Sequence, residues 1–131
     1  MKSTSKWIQG FQSVVDNDRG HEITIDLPPG QGGADTGATA LELAVMGLSG
    51  CVGTIFALVA SNSGFAFDAL RVVVNADKGD KTIENADVKV YVKTEDEKKA
   101  ARVLEKTLDI CPVGVLFEQA GVEMKSELIF E

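Results

Sequence analysis

Hydrophobic and polar positions are unevenly spread along this chain. From Leu43 to Phe67 no side chain is charged. Thr39 and Glu42 stand ahead of that stretch at the spacing of a capping box, in which each side chain satisfies a backbone N–H at a helix start. Gly64 is placed to end the helix in the left-handed conformation. The pattern predicts a central helix between Thr39 and Gly64, roughly 35 Å long at about 1.5 Å per residue. Ala44, Gly47, Gly50, Cys51, Thr54, Ala57 and Ser61 recur at the three-then-four spacing of one helix face, and all are small. Interior glycines cost about 0.5–1 kcal/mol each against alanine, so this face predicts a second helix crossing very close to it. An uncharged apolar run of this length also fits a membrane span. No Lys/Arg cluster flanks it to set an orientation, and Gly, Ser, Thr and Asn dilute its apolarity. It reads instead as the buried helix of a soluble core, apolar nearly all round.

The flanking segments are amphipathic. Lys6–Val15 is expected as a strand bent at Gly10, Asp16–Gly20 as a turn, and Glu22–Leu27 as a strand that alternates Ile23, Ile25 and Leu27 onto one face, so together they form a hairpin. Pro28–Gly37 is a glycine-rich loop. It lacks the Lys-Ser/Thr of a phosphate-binding loop and the spacing of a dinucleotide fingerprint. Leu70–Ala76 and Asp87–Lys93 are strands joined by a turn near Gly79, and Val88, Val90 and Val92 form the buried face of the second. Thr94 with Glu97 predicts a second capping box, opening a helix whose apolar stripe is Ala100, Val103, Leu104, Thr107, Leu108 and Cys111. Pro112 ends it and starts a short helix to Ala120. Gly121 then precedes a last strand, Val122–Phe130. The expected order is β-β-α-β-β-α-α-β, an α+β fold with a long buried central helix.

A chain of 131 residues is expected to form a single domain, residues 1–131, with a real core. A net charge of −7 argues against a nucleic-acid partner, which needs clustered Lys and Arg. The opening residues, MKSTSKWIQG, carry no apolar stretch or cleavage site, so the chain is expected in the cytoplasm. Lasting structural disulfides are uncommon there, and paired cysteines more often serve catalysis or metal binding.

There are two cysteines, Cys51 and Cys111, each on the inward face of its helix. The residues alone leave two readings open: small buried hydrophobes, or a pair that meets across packed helices. A reactive thiol needs a cation or donor nearby to hold the thiolate. The non-lysine candidates are Arg19, Arg71, Arg102 and His21. A Cys51–His21 nucleophile pair lacks an orienting or oxyanion motif. Cys51, Cys111, His21 and Glu42 offer acceptable zinc-ligand types but no paired ligand spacing, so no metal or cofactor is expected.

Gly20-His21, the glycine-rich loop, Leu41-Glu42-Leu43, Gly50-Cys51 and Cys111-Pro112-Val113 together resemble the OsmC/Ohr family of thiol-dependent hydroperoxide reductases, over nearly the whole chain and in the same element order. The resemblance is closer to the broad OsmC-like branch than to the organic hydroperoxide resistance branch. It implies a peroxidatic Cys51 that becomes a sulfenic acid. A resolving Cys111 would then form an intramolecular disulfide, which an external dithiol reduces. It also implies an arginine that stabilises the thiolate, held by a glutamate. Glu42 matches the glutamate, and Arg19 is the arginine of the corresponding loop. Ala40 stands where the family usually has proline, and Gly114 where it often has serine.

Helical geometry adds a constraint. Glu42 and Cys51 are nine positions apart, about 13–14 Å along a helix and roughly half a turn around it. If both serve one site, the helix must start late or break, or the glutamate must come from a second subunit. The small-residue face favours an intertwined homodimer. The alternative function is a non-catalytic protein on the same fold, with an apolar interface pocket for a small ligand.

Overall fold

The computed structural model describes all 131 residues. The elements are β1 (Thr4–Gln9), β2 (Gln12–Asp16), β3 (Glu22–Ile25), α1 (Ala40–Ser63), β4 (Ala69–Lys78), β5 (Ile83–Lys93), α2 (Glu97–Ile110), α3 (Pro112–Gln119) and β6 (Glu123–Phe130), with a single 3-10 turn at Pro29–Gln31. The α+β class is as expected. The chain divides into two compact units, Met1–Ala44 and Val45–Glu131.

In the first unit, β1, β2 and β3 form an antiparallel sheet in that order. Lys6–Val15 is therefore not one bent strand. Gly10 takes φ +51°, the chain reverses there, and the Trp7 indole N–H closes the turn on the Gly10 carbonyl at 2.9 Å. A bend and a reversal place the same glycine in the same sequence pattern, so the order gains one strand over expectation. β2 pairs with β3 through Val15–Ile23 and Ser13–Ile25. Beyond β3, Asp26 is buried. Its carboxylate accepts the Thr36 hydroxyl at 2.6 Å, the Thr36 N–H at 3.1 Å and the Leu27 N–H at 2.8 Å. The Thr36 hydroxyl contributes most to holding Asp26 below its ordinary pKa. This tie pins the glycine-rich loop across its base. A Cβ on Gly33 would overlap the Leu27 backbone, and one on Gly37 would overlap the Thr24 carbonyl. Both glycines are thus explained by close backbone approach.

The second unit is built on β5. It pairs antiparallel with β4 (Val72–Val90, Val74–Val88) and parallel with β6 (Val90–Leu128, Val88–Ser126). A parallel neighbour needs a crossover, which α2 and α3 supply. Val88, Val90 and Val92 are buried, as their alternation requires. They share a core with Leu48, Val52, Phe56 and Val59 of α1, Ala100, Val103 and Leu104 of α2, and Phe117 of α3. Phe56 meets Phe65 and Phe67 edge-on, with ring centroids 6.2 and 5.7 Å apart. Gly64 ends α1 at φ +63°, and the Phe65 N–H bonds back to the Ala60 carbonyl at 2.8 Å.

Two expectations need correction. The cap of α2 is Asp96, whose carboxylate accepts the Lys99 N–H at 3.0 Å. Thr94 instead donates its hydroxyl to the Ala66 carbonyl, so the Thr94–Glu97 box does not form. The second correction concerns α1, which is buried on one side only. Gly47, Gly50, Thr54, Ala57 and Ser61 are exposed, and a Cβ on Gly47 or Gly50 would meet nothing within 4 Å. No helix of this chain covers these positions, and the face meets another helix end only through Cys51, at Cys111. Of the neighbouring glycines, Gly53 differs: a Cβ there would lie 3.7 Å from the Val72 side chain, in ordinary contact.

Gly37→Ala is expected to lower unfolding stability by about 2–3 kcal/mol, because the overlap is with backbone that cannot step aside. Gly30→Ala, where a Cβ meets nothing, should stay within about 0.5 kcal/mol of the parent in urea titrations.

Candidate active site

Within the second unit, α1 and the α2–α3 junction each contribute one cysteine. Cys51 is half-buried on α1, beside the fully buried Val52. Cys111 is fully buried and serves two helices at once, as the C-terminal cap of α2 and the N-terminal cap of α3. Its N–H bonds to the Thr107 carbonyl at 2.9 Å, which closes α2. Pro112, at the first position of α3, has no N–H to leave unpaired and turns the chain there. The Cys111 thiol lies 3.0 Å from the Cys51 sulfur and donates to it. Both thiols are free.

The two sulfurs differ in their surroundings. Burial pushes the Cys111 thiol up to about 11, and its hydrogen bond to Cys51 adds to the rise. The backbone N–H groups of Gly114 and Val113, at the start of α3, act in the opposite sense on its sulfur but do not overcome burial. Cys111 is therefore a neutral donor at neutral pH, aimed at a more accessible sulfur. Residue patterning does not single out these two N–H groups directly. An indirect signal is present, because proline at a first helical position makes the preceding residue a cap.

The other candidates lie in the first unit. Glu42 completes the capping box with Thr39. Its carboxylate accepts the Thr39 N–H at 2.8 Å, and the Thr39 hydroxyl oxygen accepts the Glu42 N–H at 3.1 Å. Arg19 is exposed in the β2–β3 turn, where its backbone N–H is held by the Asn17 side-chain oxygen at 3.0 Å. The His21 ring contacts the Asn17 amide at 3.0 Å, a local turn contact. No cluster of three or more His, Cys, Asp or Glu side chains converges on a possible metal position.

A free pair of sulfurs in van der Waals reach, one shielded and protonated and the other half-accessible, is an arrangement suited to reversible thiol–disulfide chemistry. The family model described as OsmC-like protein matches residues 32–127, so the chain belongs to the OsmC family. Solved structures share the fold at low identity. An OsmC-like protein from Mycoplasma pneumoniae aligns with TM-score 0.86 and 12% identity, over 98% of this chain and 95% of its own. An organic hydroperoxide resistance protein OsmC from Legionella pneumophila gives TM-score 0.75, 14% identity, and coverage of 98% and 97%. An organic hydroperoxide resistance protein from Elizabethkingia anophelis gives 0.74, 18%, and coverage of 98% and 94%. No curated protein matches the sequence.

The raised Cys111 pKa carries a stability consequence. An unfolded thiol loses its proton near the ordinary value of 9.0, while the folded one holds it to about 11. Above pH 9 the unfolded state alone ionises, so folding stability falls as pH rises between about 9 and 11. Cys111→Ala should flatten that alkaline decline in reducing buffer, as read from urea midpoints against pH.

Proposed function

We propose that this protein is a thiol-dependent peroxidase that reduces organic hydroperoxides through Cys51 and Cys111. The observation that carries the reading is the meeting of the chain's two cysteines, 60 residues apart in sequence, at 3.0 Å with Cys111 donating to Cys51. Cys51 is the more accessible of the two sulfurs and accepts the Cys111 hydrogen bond. The Cys51 thiolate attacks one peroxide oxygen, the O–O bond breaks, and the alkoxide leaves as alcohol after gaining a proton. Cys51 is then a sulfenic acid. The Cys111 sulfur attacks the Cys51 sulfur, and its proton leaves with the displaced hydroxyl as water. Two thiols and one hydroperoxide thus give one disulfide, one alcohol and one water. The sulfurs need only close from 3.0 Å to the disulfide length of about 2.05 Å. An external dithiol then restores both thiols.

In this reading Arg19 stabilises the thiolate and the developing alkoxide, and Glu42 orients Arg19. α1 starts at Ala40 and runs unbroken to Ser63, so neither a late start nor a break brings Glu42 to Cys51. A second copy of the chain is the remaining route. The exposed small-residue face of α1, flanked by Met46 and Leu58 at 54% and 50% exposure, is the surface on which two copies would pack. The site belongs to an intertwined, cytoplasmic homodimer.

On brief exposure of the reduced protein to stoichiometric cumene hydroperoxide, mass spectrometry should show loss of two hydrogens mapped to a Cys51–Cys111 link. Cys51→Ser should abolish the loss, and Cys111→Ser should leave a dimedone-reactive sulfenic acid. Thiols that stay reduced in large oxidant excess would sink the peroxidase and favour the ligand-binding alternative.

Gly47→Leu adds bulk where the single chain has open space. It should convert a dimer to monomer in light-scattering measurements while leaving the circular dichroism unchanged. A parent protein that is monomeric at micromolar concentration contradicts the dimer.

A further inference from the structure

Cys51 meets Cys111 at one end of α2, and the Lys99 ammonium bonds to the Gly64 carbonyl at the other, at 3.2 Å. The two helices therefore run antiparallel. Between them lies an open groove of about 510 Å³, lined on the α1 side by Val59 and Ser63 and on the α2 side by Lys98, Lys99, Arg102 and Lys106. Four of the chain's 13 basic residues thus share one groove in a protein with 20 acidic ones. The one acid in its lining, Asp96, is occupied in capping α2. Lys98, Arg102 and Lys106 repeat at four-residue spacing, where like charges destabilise a helix. None of the chain's three ion pairs involves them. Val59 and Val103 beneath them are already buried, so most of what the groove exposes belongs to Lys and Arg side chains, whose stems are apolar and whose ends are charged.

The repeat spans about 12 Å of helix, more than a single carboxylate or phosphate can cover, and an acidic chain is a poor partner for nucleic acid. Val59 and Ser63 also sit on the side of α1 opposite Gly47, Gly50 and Thr54, so a copy packed on the small-residue face leaves the groove open. Along α2 the groove leads toward Cys111, with Lys106 little more than one turn before it.

We propose that this groove is the docking surface for an acidic protein that carries the dithiol reductant. The proposal rests on the thiol-peroxidase reading. A thiolate of the docked partner attacks one sulfur of the Cys51–Cys111 disulfide to form a mixed disulfide. The partner's second thiol then displaces it. Two electrons and two protons pass to Cys51 and Cys111, and the partner leaves as its own disulfide.

The test uses the full chain, oxidised to the disulfide with diamide so that it does not depend on peroxide activity. The probes are a Cys-X-X-Cys peptide with a polyglutamate tail, the same peptide with a polylysine tail, and dithiothreitol. At low salt the glutamate-tailed peptide should reduce the disulfide about tenfold faster than the lysine-tailed one. That preference should fall below about twofold at high salt and in Lys98→Glu/Arg102→Glu/Lys106→Glu, while the dithiothreitol rate holds. Lys6→Glu/Lys78→Glu/Lys81→Glu changes net charge equally outside the groove and should retain the preference. A groove variant that keeps it, or a control variant that loses as much, overturns the proposal. Failure of cumene hydroperoxide to form the disulfide that diamide forms would count against the peroxidase alone. If diamide forms none, fluorescence anisotropy of a serine-substituted glutamate-tailed peptide decides, with about tenfold weaker binding expected in the groove variant and equal binding overturning the docking site.

Discussion

The second unit depends on the contact between one side of α1 and the valine face of β5. Leu48, Val52 and Phe56 are fully buried on the helix, as are Val90 and Val92 on the strand. Burying side chains of this size is worth about 1.5–3 kcal/mol each. This contact also fixes chemistry. Cys51 adjoins Val52 in the chain and so stands at the margin of the buried face, where a sulfur is packed yet reachable. Cys111 reaches it because α2 buries Ala100, Val103, Leu104 and Thr107 along a single stripe and ends one turn beyond.

The same burial that positions Cys111 keeps it protonated. A thiol at a helix start would normally be acidified by the N–H groups directed at it. Here desolvation wins, and the group stays a donor. That asymmetry suits a division of labour in which one sulfur reacts first and the other follows. The chain belongs to the OsmC family, and at 12–18% identity the solved structures speak for the fold alone.

A helix apolar on both sides but covered on one leaves a surface that water does not favour. α1 is long and apolar enough to cross a membrane by length and composition. Its buried side belongs to the core of the second unit, and its small-residue side is exposed in the single chain. The groove on the far side of the helix is different in kind, with a rim of Lys and Arg over the buried Val59 and Val103.

Local patterns decided much of this protein in advance. The Thr39–Glu42 box, the Gly64 stop, the Val88–Val90–Val92 alternation, the α2 stripe and the Cys111-Pro112 junction are each set by neighbours within about four residues. They are legible because capping, pleat and helical period are short-range. The family is legible too, in short contiguous motifs. Tertiary structure alone decided the rest. The hairpin at Gly10 depends on a turn closed by the Trp7 indole. The Asp96 cap displaced Thr94 because the Ala66 carbonyl, distant in sequence, captured its hydroxyl. β6 lies parallel to β5 through a crossover no local signal encodes. Which side of an all-apolar helix faces its own core, and that the two sulfurs meet at 3.0 Å, follow from contacts between segments up to 60 residues apart. Periodicity cannot register those, because it compares a residue only with its neighbours in the chain.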